Sequence, residues 1–308
     1  MNEIIIRTIV PMFLLMGIGF FSRRMGILKS GDERVLSAYV YYFALPALFF
    51  VNMAETNFAE EIQFMIAGIV PVLMALLVHI TLYLLFRFSR KTLYLLILST
   101  VFGSLAFFGI PFIMFAFPEQ GEHLSTLSAA SIAIVSVTIS ITVLELHKLE
   151  TATVWEGLKQ VVRRLPRNPL ILSIFSGILL SLIGVEIPSP VSTSLHMLGG
   201  TTSTVAVFML GVFLYGRRYT NIVTAFGLSL LRMVFLPVVA FLSTMLFNLP
   251  EIERSTLILM HGMPIAISMI VLSERYDFHK ETIASLILIS SLGAGFYLNL
   301  WLFLLGYY

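Results

Sequence analysis

Two triplets of the form Gly-x-Pro, Gly109-Ile110-Pro111 and Gly262-Met263-Pro264, lie inside long apolar runs about half the chain apart. Proline removes a backbone donor and clashes with the preceding turn, while glycine tolerates unusual dihedrals, so each triplet predicts an interrupted helix. Peptide groups freed at such a break cannot face lipid; they are buried in protein or line a wet cavity. The N-terminal end of the half-helix that follows carries partial positive charge and can seat an anion. Ser104, shortly before the first triplet, adds a hydroxyl that both donates and accepts.

Two ionisable side chains lie in similar surroundings. Arg232 falls near the middle of an apolar run. Such a charge is costly and faces the protein interior or a water-filled cavity. A guanidinium there suits recognition of a carboxylate; it equally suits a structural pairing with a backbone carbonyl, Glu145 or another buried acceptor. His261 directly precedes the second triplet. Its ordinary pKa of about 6.5 makes it a candidate proton carrier, the alternative being a neutral, hydrogen-bonded packing histidine. The candidate solute-binding set is therefore Ser104, Gly109, Pro111, Arg232, His261, Gly262 and Pro264. His79 and His196 also fall in apolar runs and are read as structural. Tyr42, Asn52 and the cluster Thr201, Thr202, Ser203, Thr204 could line a cavity, although such groups more often bond neighbouring helices. Asp32 and Asp277 fall between runs and the glutamates at their ends, with Glu145 nearest to being inside, so no carboxylate is expected near the middle of a membrane. Sodium coupling would have to use serine, threonine and backbone oxygens.

The elements that position these residues are apolar helices. The 308 residues are 58% hydrophobic and 12% charged, about half the charge of an ordinary soluble domain. Ten spans are expected, at about 4–22, 35–53, 62–86, 92–117, 124–146, 169–185, 192–215, 221–247, 254–273 and 282–305, many near the roughly 20 residues a crossing needs. The first carries Arg7 and Pro11 and ends in Arg23 and Arg24, so it reads as a span rather than a cleavable leader. The chain has no cysteine, which excludes disulfides and thiolate metal sites. No cofactor or nucleic-acid partner is expected.

Loop charges alternate. Arg23, Arg24, Lys29 and Arg34 follow the first span, and the next loop holds Glu55, Glu60 and Glu61. Arg87, Arg90 and Lys91 precede a loop with Glu119 and Glu122. Lys148, Lys159, Arg163, Arg164 and Arg167 fill the central loop, then Glu186 stands alone. Arg217 and Arg218 precede a loop with Glu251, Glu253 and Arg254, and Arg275 and Lys280 close the series. Basic loops stay in the cytoplasm, so both termini are expected outside a cytoplasmic membrane. Residues 147–168, of mixed charge, read as a surface helix or a solvated linker between halves 1–146 and 169–308. Five spans per half force the second copy to enter from the opposite side: an inverted repeat with breaks at matching positions in the fourth and ninth spans, which is the sequence signature of a secondary transporter's binding site.

The run Gly26-Ile27-Leu28-Lys29-Ser30-Gly31-Asp32 with Leu45-Pro46-Ala47-Leu48-Phe49 resembles the start of the auxin efflux carrier family. Arg167-Asn168-Pro169-Leu170-Ile171 with Gly177, Pro188, Leu198-Gly199 and Leu210-Gly211 resembles the family's sixth and seventh helices, and Met263-Pro264-Ile265-Ala266 with Tyr276 and Ala284-Ser285 its ninth. The resemblance implies an all-α membrane protein of ten transmembrane helices in two inverted five-helix repeats, with broken crossover helices 4 and 9. It also implies a scaffold of helices one, two, six and seven, a moving part made of the rest, and a homodimer. Microbial relatives are described as permeases for malate, malonate and similar organic acids, so a small organic anion is the expected solute, with another small solute such as an amino acid or neutral metabolite as the alternative. Two departures stand out: Ser104 takes the place of a family asparagine, and the last helix lacks an expected proline. Rival classes have less support. No Gly-x-Ser-Gly, paired-aspartate or His-Glu-x-x-His motif suggests an enzyme, no repeated filter loop suggests a channel, and no long soluble segment suggests a receptor.

Overall fold

The structure, a computed structural model, describes residues 3–148, 169–216 and 219–307. The expected linker beyond Lys148, and Arg217 and Arg218, lie outside the described residues. The chain runs through α1 (Glu3–Arg24), α2 (Asp32–Ala54), α3 (Phe58–Phe86), α4 (Arg90–Val101), α5 (Leu105–Ala116) and α6 (Gly121–Lys148). It continues through α7 (Pro169–Leu182), α8 (Ser189–Leu214), α9 (Ile222–Thr244), α10 (Glu251–His261), α11 (Ser268–Tyr276) and α12 (Lys280–Leu304). Helix occupies every range read as a span, and two of those ranges are interrupted, between α4 and α5 and between α10 and α11. Six helices among the described residues (α2, α3, α6, α8, α9 and α12) are long and apolar enough to cross a membrane, and α5 and α7 are shorter apolar helices.

Local chemistry explains several boundaries. Ser89 caps α4, its hydroxyl accepting the Thr92 N–H at 3.1 Å. In α2, α5 and α9 the helix widens into one π-helical turn, at Val40–Ala44, Leu105–Gly109 and Leu231–Phe235. A proline follows each turn after one residue, namely Pro46, Pro111 and Pro237. The wider turn relieves the clash that a proline ring makes with the carbonyl four residues back.

Two groups of helices emerge from the packing. One contains α1, α2, α7 and α8, with α1 lying along α8 and α2 against α7 and α8. Glycine lets these backbones approach. A methyl group at Gly177 would sit 2.6 Å from the Phe50 carbonyl oxygen, and one at Gly199 would sit 2.9 Å from Leu48 Cα. Gly19 and Gly211 are tighter still, against the backbone of Phe208 and Met16. Small residues at such contacts are how helices associate where no hydrophobic drive exists between them. The other group gathers α3, α4, α5, α6, α9, α10, α11 and α12. It meets the first where α5 lies on α1 and α8 and where α6 lies on α2. Leu84, Leu85, Val223, Leu246 and Phe296 point outward, the surface that a lipid environment requires.

Candidate functional site

The two interruptions meet. The extended residues after α4 and α10 run antiparallel and pair through one bridge, Gly103 with Ile265. Ser104 N donates to the Pro264 carbonyl at 2.7 Å, and Ala266 N to the Phe102 carbonyl at 3.1 Å. The Ile265 N–H is taken by Ser290 Oγ of α12 at 3.1 Å. These backbone groups, freed from helix, are thus satisfied inside protein, as an apolar surrounding demands.

Arg232, in the π turn of α9, is fully buried beside this crossing. Its Nε donates to the Met263 carbonyl at 2.8 Å and its Nη1 to the Thr100 carbonyl at 2.7 Å, while Nη2 reaches the Met260 carbonyl at 3.5 Å. Thr100 closes α4 and Met260 closes α10, so one guanidinium serves the negative C-terminal ends of both half-helices. No pairing with Glu145 occurs; that buried carboxylate instead accepts the Tyr276 hydroxyl at 2.5 Å. A methyl at position 103 would overlap the Arg232 guanidinium, which is why glycine stands there. Tyr297 of α12 lies close enough to feel the arginine's charge, and its buried hydroxyl has no hydrogen-bond partner among the described residues.

With the C-terminal ends neutralised, the N-terminal ends of α5 and α11 remain. The first N–H groups of each helix have no intrahelical acceptor. Gly103, Ala106 and Phe107 are half-buried and Ser268 is exposed, so these N-terminal ends are not fully enclosed.

The expected residues divide. Ser104, Arg232, Gly262 and Pro264 converge on the crossing. The first break, however, lies at Phe102–Ser104 and not at Gly109-Ile110-Pro111, which sits within α5. Pro111 is accommodated by the π turn, so it does not end the helix. Gly109 instead permits close packing on the other broken helix, since a Cβ there would sit 2.9 Å from Met260 Sδ. The His261 ring is fully buried: Nδ1 donates to the Leu257 carbonyl of its own helix at 2.8 Å, and Nε2 has no hydrogen-bond partner among the described residues. His79 is structural, bonded to the Ala75 carbonyl at 2.6 Å and to Thr100 Oγ1 at 3.1 Å. Tyr42 is exposed, Asn52 bonds the Leu48 carbonyl of its own helix, Thr201 meets Tyr39, and Ser203 meets Met114. Thr100, Gly103, Ser290 and Tyr297 belong to the site without having been singled out from sequence.

A sequence profile described as membrane transport protein matches residues 4–302. The chain belongs to this family, that of the auxin efflux carriers. An uncharacterized transporter of Methanocaldococcus jannaschii is 27% identical over 303 residues, covering 95% of this chain and 96% of its own. The uncharacterized transporter YfdV of Escherichia coli is 24% identical over 306 residues, 96% of each chain. The "Putative malonate transporter" of Rhizobium meliloti is 25% identical over 296 residues, 92% of this chain and 90% of its own. Family and relatives are transporters, not enzymes, and the chain is a multi-pass membrane protein.

In this auxin efflux carrier family member, charged groups also join the two helix groups at one end. His196 of α8 lies within its expected span, near the helix start, and is partly exposed. Its Nε2 meets Glu55 Oε2 at 3.1 Å at the end of α2, and its Nδ1 meets Glu122 Oε1 at 3.5 Å at the start of α6. At the opposite end of α11, Asp277 pairs with Lys280 at 2.6 Å, and that hydrogen bond and charge hold its carboxyl below the usual range.

Proposed function

We propose that the protein is a secondary carrier that moves a small organic anion, such as malate, malonate or an auxin-like carboxylate, across the cytoplasmic membrane by alternating access. In this reading the ten helical ranges are ten crossings in two inverted five-helix repeats, 1–146 and 169–308, with both termini outside. The group α1, α2, α7 and α8 is the static scaffold of a homodimer, and the other helices carry the solute.

The observation that carries this reading is the crossing of the two interrupted helices, with their C-terminal carbonyls bound by one arginine and their N-terminal ends open. Arg232 is committed to backbone, so the carboxylate rests on the N–H groups that open α5 and α11 and on Ser104. The arginine supplies positive potential from behind, in a site already organised to receive charge. The name of the Rhizobium meliloti relative favours a dicarboxylate. Pro111 acts through the backbone shape it imposes, Gly262 stands where α10 ends at the second break, and Gly109 and Pro264 hold the two breaks together. His261 is the histidine nearest the crossing for proton coupling, and sodium coupling would draw on serine, threonine and backbone oxygens other than those held by Arg232.

Counterflow in proteoliposomes tests the reading, with labelled malate, malonate, succinate, lactate and indole-acetate at two pH values and with or without sodium. Saturable exchange of one acid is expected. Flux that does not saturate makes the protein a channel. Absence of exchange from folded protein rejects the organic-anion assignment and points to an amino acid or neutral metabolite.

A further inference from the structure

A second concave surface lies away from the crossing, where α1 ends, α2 begins and α8 ends. This cleft of about 340 Å³ is lined by Arg23, Ser30, Glu33, Arg34, Val212 and Tyr215, among others. Neither Arg23 nor Arg34 has a hydrogen-bond or ion-pair partner among the described residues. Asp32 Oδ2 accepts the Lys29 N–H at 2.7 Å, and Glu33, which also lines the cleft, places its Oε2 on the Gly31 N–H at 3.0 Å. Two unpaired guanidiniums and a serine hydroxyl facing one cleft make a fork for the oxygens of a phosphate.

What surrounds the cleft decides the kind of phosphate. Phe21, Met25, Ile27 and Val35, on the neighbouring turns and loop, each expose more than half of their surface. Tyr215 stacks edge-on against Phe20 at 5.2 Å, an aromatic pair of the kind found at membrane–water boundaries. A soluble anion gains nothing from an apolar rim, whereas acyl chains lie along it while the headgroup enters the basic cleft.

We propose that this cleft binds the phosphate of an anionic phospholipid. The site lies on the helices α1, α2 and α8, apart from the crossing, so lipid bound there anchors this group of helices in the bilayer. Its existence does not depend on which solute is carried.

Native mass spectrometry and thermal melting of the purified full chain, titrated with phosphatidylglycerol, phosphatidylcholine or inorganic phosphate, test this. Phosphatidylglycerol is expected to bind and to raise the melting temperature, and the other two are not. The variant R23Q/R34Q should bind phosphatidylglycerol about thirtyfold more weakly, while R87Q/R90Q, in another basic loop, should bind it like the parent. If the double variant does not fold, Arg34→Gln alone, at an exposed position, should weaken binding about fivefold. Equal loss in both double variants, or equal binding of phosphatidylcholine, overturns the proposal. Stabilisation by inorganic phosphate as strong as by phosphatidylglycerol gives the cleft to a soluble anion and overturns the lipid assignment.

Discussion

Gly103 and Arg232 work as a pair, and sequence announces only one of them. An arginine in the middle of an apolar run draws notice because charge is rare there. Its partners are backbone carbonyls of Thr100, Met260 and Met263, and backbone acceptors have no sequence signature. Gly103 has no adjacent proline and reads as an ordinary small residue, yet the guanidinium occupies the place where its Cβ would be. That guanidinium cannot step aside without unpairing carbonyls on two helices. Gly103→Ala is therefore expected to destabilise the protein by about 1–3 kcal/mol through overpacking and to abolish exchange. At Gly262 a Cβ would meet nothing nearer than Pro237 Cγ at 3.2 Å, so Gly262→Ala should melt close to the parent and retain exchange. Melting in detergent alongside counterflow separates the two glycines; equal behaviour would show that the guanidinium is free to move.

At the scale of elements, apolar runs and loop charges were enough to locate the helices, because span length and hydropathy are set by the bilayer. The position of the first break was not legible. A Gly-x-Pro triplet interrupts the chain at Gly262-Met263-Pro264, whereas at Gly109-Ile110-Pro111 the same pattern is absorbed by a π turn and the chain breaks earlier, at Phe102–Ser104. In α2, α5 and α9 the residue before the proline bonds five residues back, Leu45 to Val40, Ile110 to Leu105 and Leu236 to Leu231. The carbonyl four residues before the proline then loses its helical donor. In α9 that carbonyl belongs to Met233, and the Trp301 indole of α12 donates to it at 2.9 Å. Trp301→Phe leaves the carbonyl unpaired and should cost about 1–2 kcal/mol, read as a lower melting temperature. Adding Pro237→Ala restores a backbone donor, so the double variant should recover part of that loss. A strictly additive pair would mean that Trp301 only fills space.

For the whole molecule, the division into two helix groups came from resemblance, since periodicity along one chain does not say which helices touch. The contacts, and the glycines Gly19, Gly177, Gly199 and Gly211 that permit them, now place α1, α2, α7 and α8 together. Alternating access requires that this group and the rest move relative to one another, and His196 offers a direct check. It contacts Glu55 within its own group and Glu122 across the boundary, at 3.1 and 3.5 Å. With side-chain exposures of 39%, 46% and 41% for His196, Glu55 and Glu122, all three positions are open to reagents, and the chain has no cysteine of its own to interfere. E122C/H196C bridged by a short bismaleimide should lose exchange, because the bridge ties the moving part to the scaffold. E55C/H196C bridged in the same way should keep it, because both residues belong to the proposed scaffold. Loss in both would locate the motion inside the scaffold. Retention in both would mean that solute crosses without the two groups sliding past each other at this end, leaving a local opening of the crossing as the mode of access.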